Sequence, residues 1–384
     1  MLLFVCYLSA CGVISQNSVQ DMTTFTPTTS GLLTVTAIIP LTPTSTITPQ
    51  PTVTPTPTIT STTFVEISPI DGFPLLAAYK QLKEGYDATV RRDAIIDFSG
   101  DGSLLAYDYT GRVTDILNTN TGDLEYHFVK PLSDRSGTHA QAFSPDGKIF
   151  AEGGHGQILF IWDIQTGELL HQISSRYLFY GNADIYSIAF SKEGKYILVA
   201  SPFDYGGVAV LDLETMQLVA KKNISAQDIE ISADGQQIII GGFTGGTLLV
   251  EGLSAPVLVF DDYELSSNQE YFSGAGALSV AISNDKRFIA AATGKDIWVW
   301  DNDLDKEIYT INDYVEWPLK VDISLEGNLA ILTTLGEIAI WNLESREIVA
   351  GMNYPDVLDM LFSPDGKTLA TIDKKENIVL WQVP

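Results

Sequence analysis

The 384-residue sequence is most sharply defined by what it lacks. There are two cysteines, Cys6 and Cys11, and none in the 373 positions after Cys11. That excludes a disulfide framework and leaves the body of the chain without a thiol for redox or metal chemistry. Basic residues are few: 22 Lys and Arg stand against 48 Asp and Glu, and the first is Lys80. A net charge of −26 offers no basic stripe to displace phosphate counterions, so nucleic acid is excluded as a partner. The same charge repels anionic headgroups. No long apolar run is present either. The longest near the N-terminus, Leu2–Leu8, is too short to cross a bilayer. The chain has four histidines, His127, His139, His155 and His171, without the close pairs of a zinc site. There is no G-x-S-x-G elbow, no H-E-x-x-H and no phosphate-cradling glycine loop ahead of a helix. These absences remove the serine-elbow hydrolase, H-E-x-x-H metalloprotease and glycine-loop nucleotide-binding readings. No cofactor and no metal is expected.

The stretch from Met22 to Val65 carries no charge and consists largely of Thr and Pro. Such a segment cannot bury a core and favours extended polyproline-like conformers. We read residues 12–64 as a disordered stalk, of which the 40-odd uncharged residues alone reach roughly 130 Å at about 3.1 Å per residue. Its hydroxyls are candidates for O-glycosylation. Residues 65–384 form the folded domain and hold all but one of the net negative charges.

A repeated phrase then dominates. An apolar run ends in Phe or Ile plus Ser, a polar turn follows, and two further apolar runs come after it. The anchors are Phe98-Ser99, Phe143-Ser144, Phe190-Ser191, Ile231-Ser232, Ile282-Ser283, Ile323-Ser324 and Phe362-Ser363, spaced by 45, 47, 41, 51, 41 and 39 residues. We number these repeats one to seven. In repeat two, strands are expected at Ala140–Ser144, Ile149–Glu152, Ile158–Asp163 and Leu169–Ile173. Pro145–Lys148 and Gln165–Glu168 supply the turn chemistry. A period of 40–50 residues with four short strands per unit specifies an all-β, seven-bladed β-propeller of four-stranded antiparallel blades. Repeat seven ends after its third strand, at Trp381–Pro384. The segment Leu75–Lys83 has no repeat of its own, so this N-terminal strand is expected to close the ring and remove an open edge.

FSPDGK at Phe143–Lys148 and Phe362–Lys367, together with Trp162-Asp163 and Trp300-Asp301, resembles the WD-repeat (WD/YVTN-like) family of propellers. The resemblance covers about four-fifths of the chain. It departs from the family in that no repeat opens with the Gly-His dipeptide. Trp341-Asn342, Trp381-Gln382, Leu211-Asp212, Leu117-Asn118 and Val250-Glu251 stand where Trp-Asp is expected. The family's buried His-Ser-Asp-Trp network is therefore not expected in those blades, and apolar packing is expected to hold them. The turn after Asp163 also resembles quinoprotein blades, but His171 stands where their docking Trp would be, so no quinone is expected.

Leu8-Ser9-Ala10-Cys11-Gly12, just after the apolar run, resembles the lipobox of bacterial lipoproteins, although no basic residue precedes it. The resemblance implies that residues 1–11 include a signal peptide and that Cys11 is the lipidated residue. The protein is then expected to be anchored to the cell membrane or cell surface, facing outside the cytoplasm.

Asp301–Asp305 opens like a calcium loop. Lys306 replaces the required Gly and Asn312 the bidentate Glu, so the stretch is read as a turn. The loops joining strands four to one and two to three share one face of the disc. They hold Arg176, Tyr177, Tyr180, Phe203, Tyr205, Phe243, Asp262, Tyr263, Glu264, Tyr271, Tyr314 and Trp317. Rigid aromatics beside acids suit recognition. The expectation is a non-enzymatic scaffold that binds a protein, peptide or glycan through this face. The alternative is a hydrolase or lyase at the channel mouth.

Overall fold

The computed structural model describes residues 68–384 except 70–73, 75, 84–93, 109–110, 132–136, 203–204, 243–256, 261–268, 271–276, 295, 305 and 312–316. The stalk and Cys11 lie outside the described residues.

Each repeat folds as a meander because its apolar runs are four to six residues long and each is followed by turn chemistry. Repeat two gives strands Thr138–Phe143, Ile149–Gly154, Ile158–Asp163 and Leu169–Ser174, hydrogen-bonded in that order. The second and third strands are buried on both faces, since a neighbouring sheet covers each side. The fourth strand is polar in sequence and largely exposed, as befits the outer rim.

Among the described residues, repeats one, two, three, five, six and seven form complete four-stranded antiparallel blades. Repeat four pairs Asp228–Ile231, Ile238–Gly241, Val257–Phe260 and Gln269–Glu270 in turn, with parts of its loops outside the described residues. The fold is thus an all-β propeller of four-stranded blades. The first strands line the centre, each packed beside the next, and Val357–Phe362 packs beside Ile95–Phe98.

The last blade takes its fourth strand from Ala77–Lys83, which pairs antiparallel with Ile378–Gln382. A second contact was not expected from sequence. Ser68–Pro69 pairs with Met352 and Asn353 as a fifth strand on repeat six, and Gly351 donates its N–H to the Pro74 carbonyl. The N-terminal segment therefore covers the outer edges of two adjacent blades.

The anchor serine explains why the first turn is so regular. In repeat two, Ser144 Oγ donates to Asp146 and accepts from the Ile149 N–H, while Gly147 takes a φ of 69°. The same turn recurs in repeat seven through Ser363, Asp365, Thr368 and Gly366. In repeat five the positive-φ position is filled by Lys286.

Apolar clusters fill the spaces between neighbouring blades. Between repeats one and two the filling is aromatic: Phe128 stacks on Trp162 at 5.0 Å and packs against Phe150 at 5.9 Å. A polar network is also present at this interface, beside the repeat that keeps Trp162-Asp163. Lys130 pairs with Asp108 at 2.9 Å and Glu152 at 3.1 Å, all three buried. Trp162 Nε1 donates to Glu152 at 2.9 Å, and Thr114 donates to the same carboxylate. Burial alone would lower Lys130, but the two carboxylates overturn that and hold it above its ordinary value. In repeat seven Trp381 Nε1 donates to Thr371 at 2.8 Å. Part of a tryptophan-centred polar network thus survives where the Trp-Asp pair does not.

Candidate functional site

In a meander, second-to-third and fourth-to-first connections emerge on the same face. Of the sequence-predicted residues there, Arg176, Tyr177, Tyr180, Tyr205 and Trp317 are described. Phe203, Phe243, Asp262, Tyr263, Glu264, Tyr271 and Tyr314 lie outside the described residues.

The loop after repeat two begins with a short helix, Ser175–Leu178, capped by Ser174. Ser175 donates its N–H to Gln157, and Leu178 and Phe179 are fully buried beneath the loop. With those two side chains turned in, Tyr177 and Tyr180 are turned out, 46% and 50% exposed. Phe179, adjacent to them in sequence, is thus a structural residue.

Tyr205, 64% exposed, belongs to the next loop, and its carbonyl accepts the Tyr180 N–H at 3.0 Å. Gly181 is required there: a Cβ would meet the Tyr205 side chain at 2.9 Å. The Lys221 ammonium lies 4.7 Å from the Tyr180 ring centroid, and Arg176 donates to Asn182 at 3.2 Å. Arg176, Tyr177, Tyr180 and Tyr205 are therefore brought together. Trp317, 42% exposed, stands on the loop entering repeat six, where its carbonyl accepts the Thr334 N–H next to exposed Leu335.

Nearer the centre lies a cluster that sequence spacing concealed. The register Thr138↔Gly154 folds one strand onto its neighbour and sets His139 beside His155. Their rings meet edge to face at 4.0 Å, and His139 stacks on Tyr186 at 4.8 Å with an interplanar angle of 3°. His155 Nδ1 is 2.7 Å from the Asp184 carboxylate. Gly154 allows this approach, because a Cβ would collide with the Gly137 carbonyl. The other two histidines are elsewhere: His127 contacts Asp115 at 2.6 Å, and His171 is exposed on an outer strand.

A second unforeseen feature lines the centre. In the first strands, positions one and three before the anchor carry Asp97, Asp228, Glu230, Lys320, Asp322 and Asp359. Asp97 accepts the Phe143 N–H at 3.0 Å, Asp322 that of Phe362 at 2.7 Å, and Asp359 that of Ile96 at 3.0 Å. Asp228 accepts that of Val280 at 3.0 Å. These four carboxylates thus each satisfy an inner-edge N–H of the following blade. Ser187 and Ser279 do the same for Ile229 and Val321.

Burial pushes Asp97 up to about 7. Burial and the neighbouring Asp228 and Asp322 charges hold Glu230 well above the usual carboxylate range. Burial pulls Lys320 down, but Asp359 and the other carboxylates more than reverse it. The lining is a structural girdle that leaves the centre acidic.

Asp301 ends the strand Asp296–Asp301, buried against Arg287 at 3.2 Å, and Asn302–Leu304 forms one 3-10 turn. Among the described residues no group of three or more His, Cys, Asp or Glu is arranged to hold a metal ion.

No protein-family model matches the chain. It is 30% identical over 122 residues to the small ribosomal subunit protein RACK1y of Oryza sativa subsp. japonica, covering 29% of this chain and 33% of that protein. It is 25% identical over 134 residues to RACK1z of Arabidopsis thaliana, covering 29% and 38%. The matches span about a third of these relatives' length. Among solved structures, hydrazine synthase of Kuenenia stuttgartiensis superposes with a TM-score of 0.63 at 17% identity, over 75% of this chain and 94% of that one. These likenesses, with the blades described above, support a WD-repeat-like β-propeller.

Proposed function

We propose that the protein is a binding scaffold that recognises a protein, peptide or glycan through its aromatic loop face. The observation that carries this reading is the outward placement of Tyr177, Tyr180, Tyr205 and Trp317 on loops whose neighbouring residues are buried or hydrogen-bonded. Rigid, exposed aromatic rings on a fixed scaffold give large contact area at small entropic cost. The partial likeness to RACK1 proteins is consistent with a scaffold. We read the ring as seven-bladed, with repeat four as a full blade, because its first strand packs beside those of repeats three and five. Cys11 is the proposed lipid anchor, the Thr/Pro-rich stretch the spacer, and the space outside the cytoplasm the proposed location. The protein is proposed to act without cofactor and without catalysis.

Co-purification of the full chain from native membranes tests this. A Tyr180→Ala/Tyr205→Ala/Trp317→Ala variant is expected to lose the partner that the parent retains. A partner held equally by both would remove this face from consideration. The second reading, a hydrolase or lyase at the channel mouth, is favoured by one observation, the His155–Asp184 pair with its ring partly exposed. Turnover of an ester or glycoside that His155→Ala abolishes would decide for it.

A further inference from the structure

We propose that the channel-mouth cluster of His139, His155, Asp184 and Tyr186, with the exposed rings of Tyr180 and Tyr205, is a subsite for an uncharged saccharide. This rests on the loop face being the binding face and names the ligand class it takes.

The argument begins with donors and acceptors. Asp184 lies 2.7 Å from His155 Nδ1, so the carboxylate accepts from Nδ1–H and fixes that tautomer. Nε2 then keeps its lone pair. The His155 side chain is 43% exposed. The edge of His139 against His155, and the stack of His139 on Tyr186, hold the imidazole in one orientation. An oriented acceptor beside a carboxylate wants a ligand that brings neutral donors, which a sugar hydroxyl does.

The cations near this loop are engaged locally. Lys221 sits over the Tyr180 ring and bonds the Phe179 carbonyl, and Arg176 bonds Asn182. An anionic sugar would meet Asp184 and a protein of net charge −26. A cationic side chain would compete with His155 for the Asp184 carboxylate.

The aromatic half of the site is adjacent in the chain. Tyr180 and Asp184 are four residues apart, so their Cα atoms lie within roughly 14 Å, the reach of a short oligosaccharide. The Tyr180 N–H to Tyr205 carbonyl bond and the approach of Tyr205 to Gly181 hold the two loops together at these residues. Flat, solvent-facing rings next to oriented acceptors match the two sides of a pyranose: an apolar C–H face and an equatorial belt of hydroxyls.

The test is calorimetric titration of the full chain with cellotetraose, maltotetraose and chitotetraose, using tetragalacturonate and tetralysine as charged comparators. At least one neutral tetrasaccharide is expected to bind. His155→Ala and Tyr205→Ala are each expected to weaken it roughly tenfold, the scale of one lost hydrogen bond or contact. His155→Gln, which returns an acceptor, is expected to recover part of that loss. Melting temperatures should not change, because both side chains are exposed. Binding of tetralysine in place of the neutral sugars, absence of binding by all three, or binding indifferent to His155→Ala would each overturn the inference. If no sugar binds while the membrane partner is still lost in the triple aromatic variant, the saccharide inference fails and the binding face stands.

Discussion

Lys130 shows what a single buried charge does in this molecule. Its ammonium holds Asp108 and Glu152 together inside the first blade interface. Lys130→Met would leave two carboxylates buried without their counter-charge, and about 3–5 kcal/mol of stability should be lost. Urea denaturation measures it, and a loss under about 1 kcal/mol would show the pair to be solvated. Asp97 is the opposite case. Its carboxyl is pushed up to about 7, while an unfolded Asp titrates near 3.9. Between those values the folded state keeps a proton that the unfolded chain has released, so this group's contribution to stability falls as pH rises through that window. Asp97→Asn retains an acceptor for the Phe143 N–H and carries no charge. It should match the parent near pH 4 and exceed it at pH 8; equal stability at both would contradict the buried-carboxyl account.

At the scale of elements, the repeated turn was legible because it is encoded locally. Serine, aspartate and glycine within a few residues specify one hydrogen-bonded geometry. Ser283 Oγ donates to Asp285 at 2.6 Å and accepts from the Phe288 N–H at 2.8 Å. Ser283→Ala should cost about 1–2 kcal/mol, read as a fall in melting temperature; an unchanged value would mean the turn holds without it. The closing strand was legible too, because repeat seven lacked one and Leu75–Lys83 lacked a repeat. The Ser68–Pro69 addition was not, since two residues carry no periodicity. The His139–His155 contact was hidden because it follows from register across a hairpin, where a spacing of sixteen residues says nothing of proximity. The girdle residues left a faint signal: charges recur one or three places before the anchors. Their partners lie on the next blade, 40 to 52 residues on for Asp97, Asp228 and Asp322 and 263 residues back for Asp359, and a single repeat cannot reveal them.

At the scale of the whole molecule, the charge and the architecture point the same way. An acidic propeller of packed blades keeps its inner edges satisfied by its own carboxylates and serines and presents aromatic rings on one face. The opposite face carries the short first-to-second-strand turns, such as those at Ser144 and Ser363. Membrane fractionation should find the full chain in the membrane and Cys11→Ser in the soluble fraction; equal distribution would remove the lipid anchor from the account. The most direct test of the central claim is site-specific photocrosslinking in native cells. A photoreactive residue would be placed at Tyr205 on the loop face and at Glu193 in an opposite-face turn. The account predicts a discrete adduct from position 205 and none from position 193. Adducts at 193 alone, or at both positions equally, would contradict it.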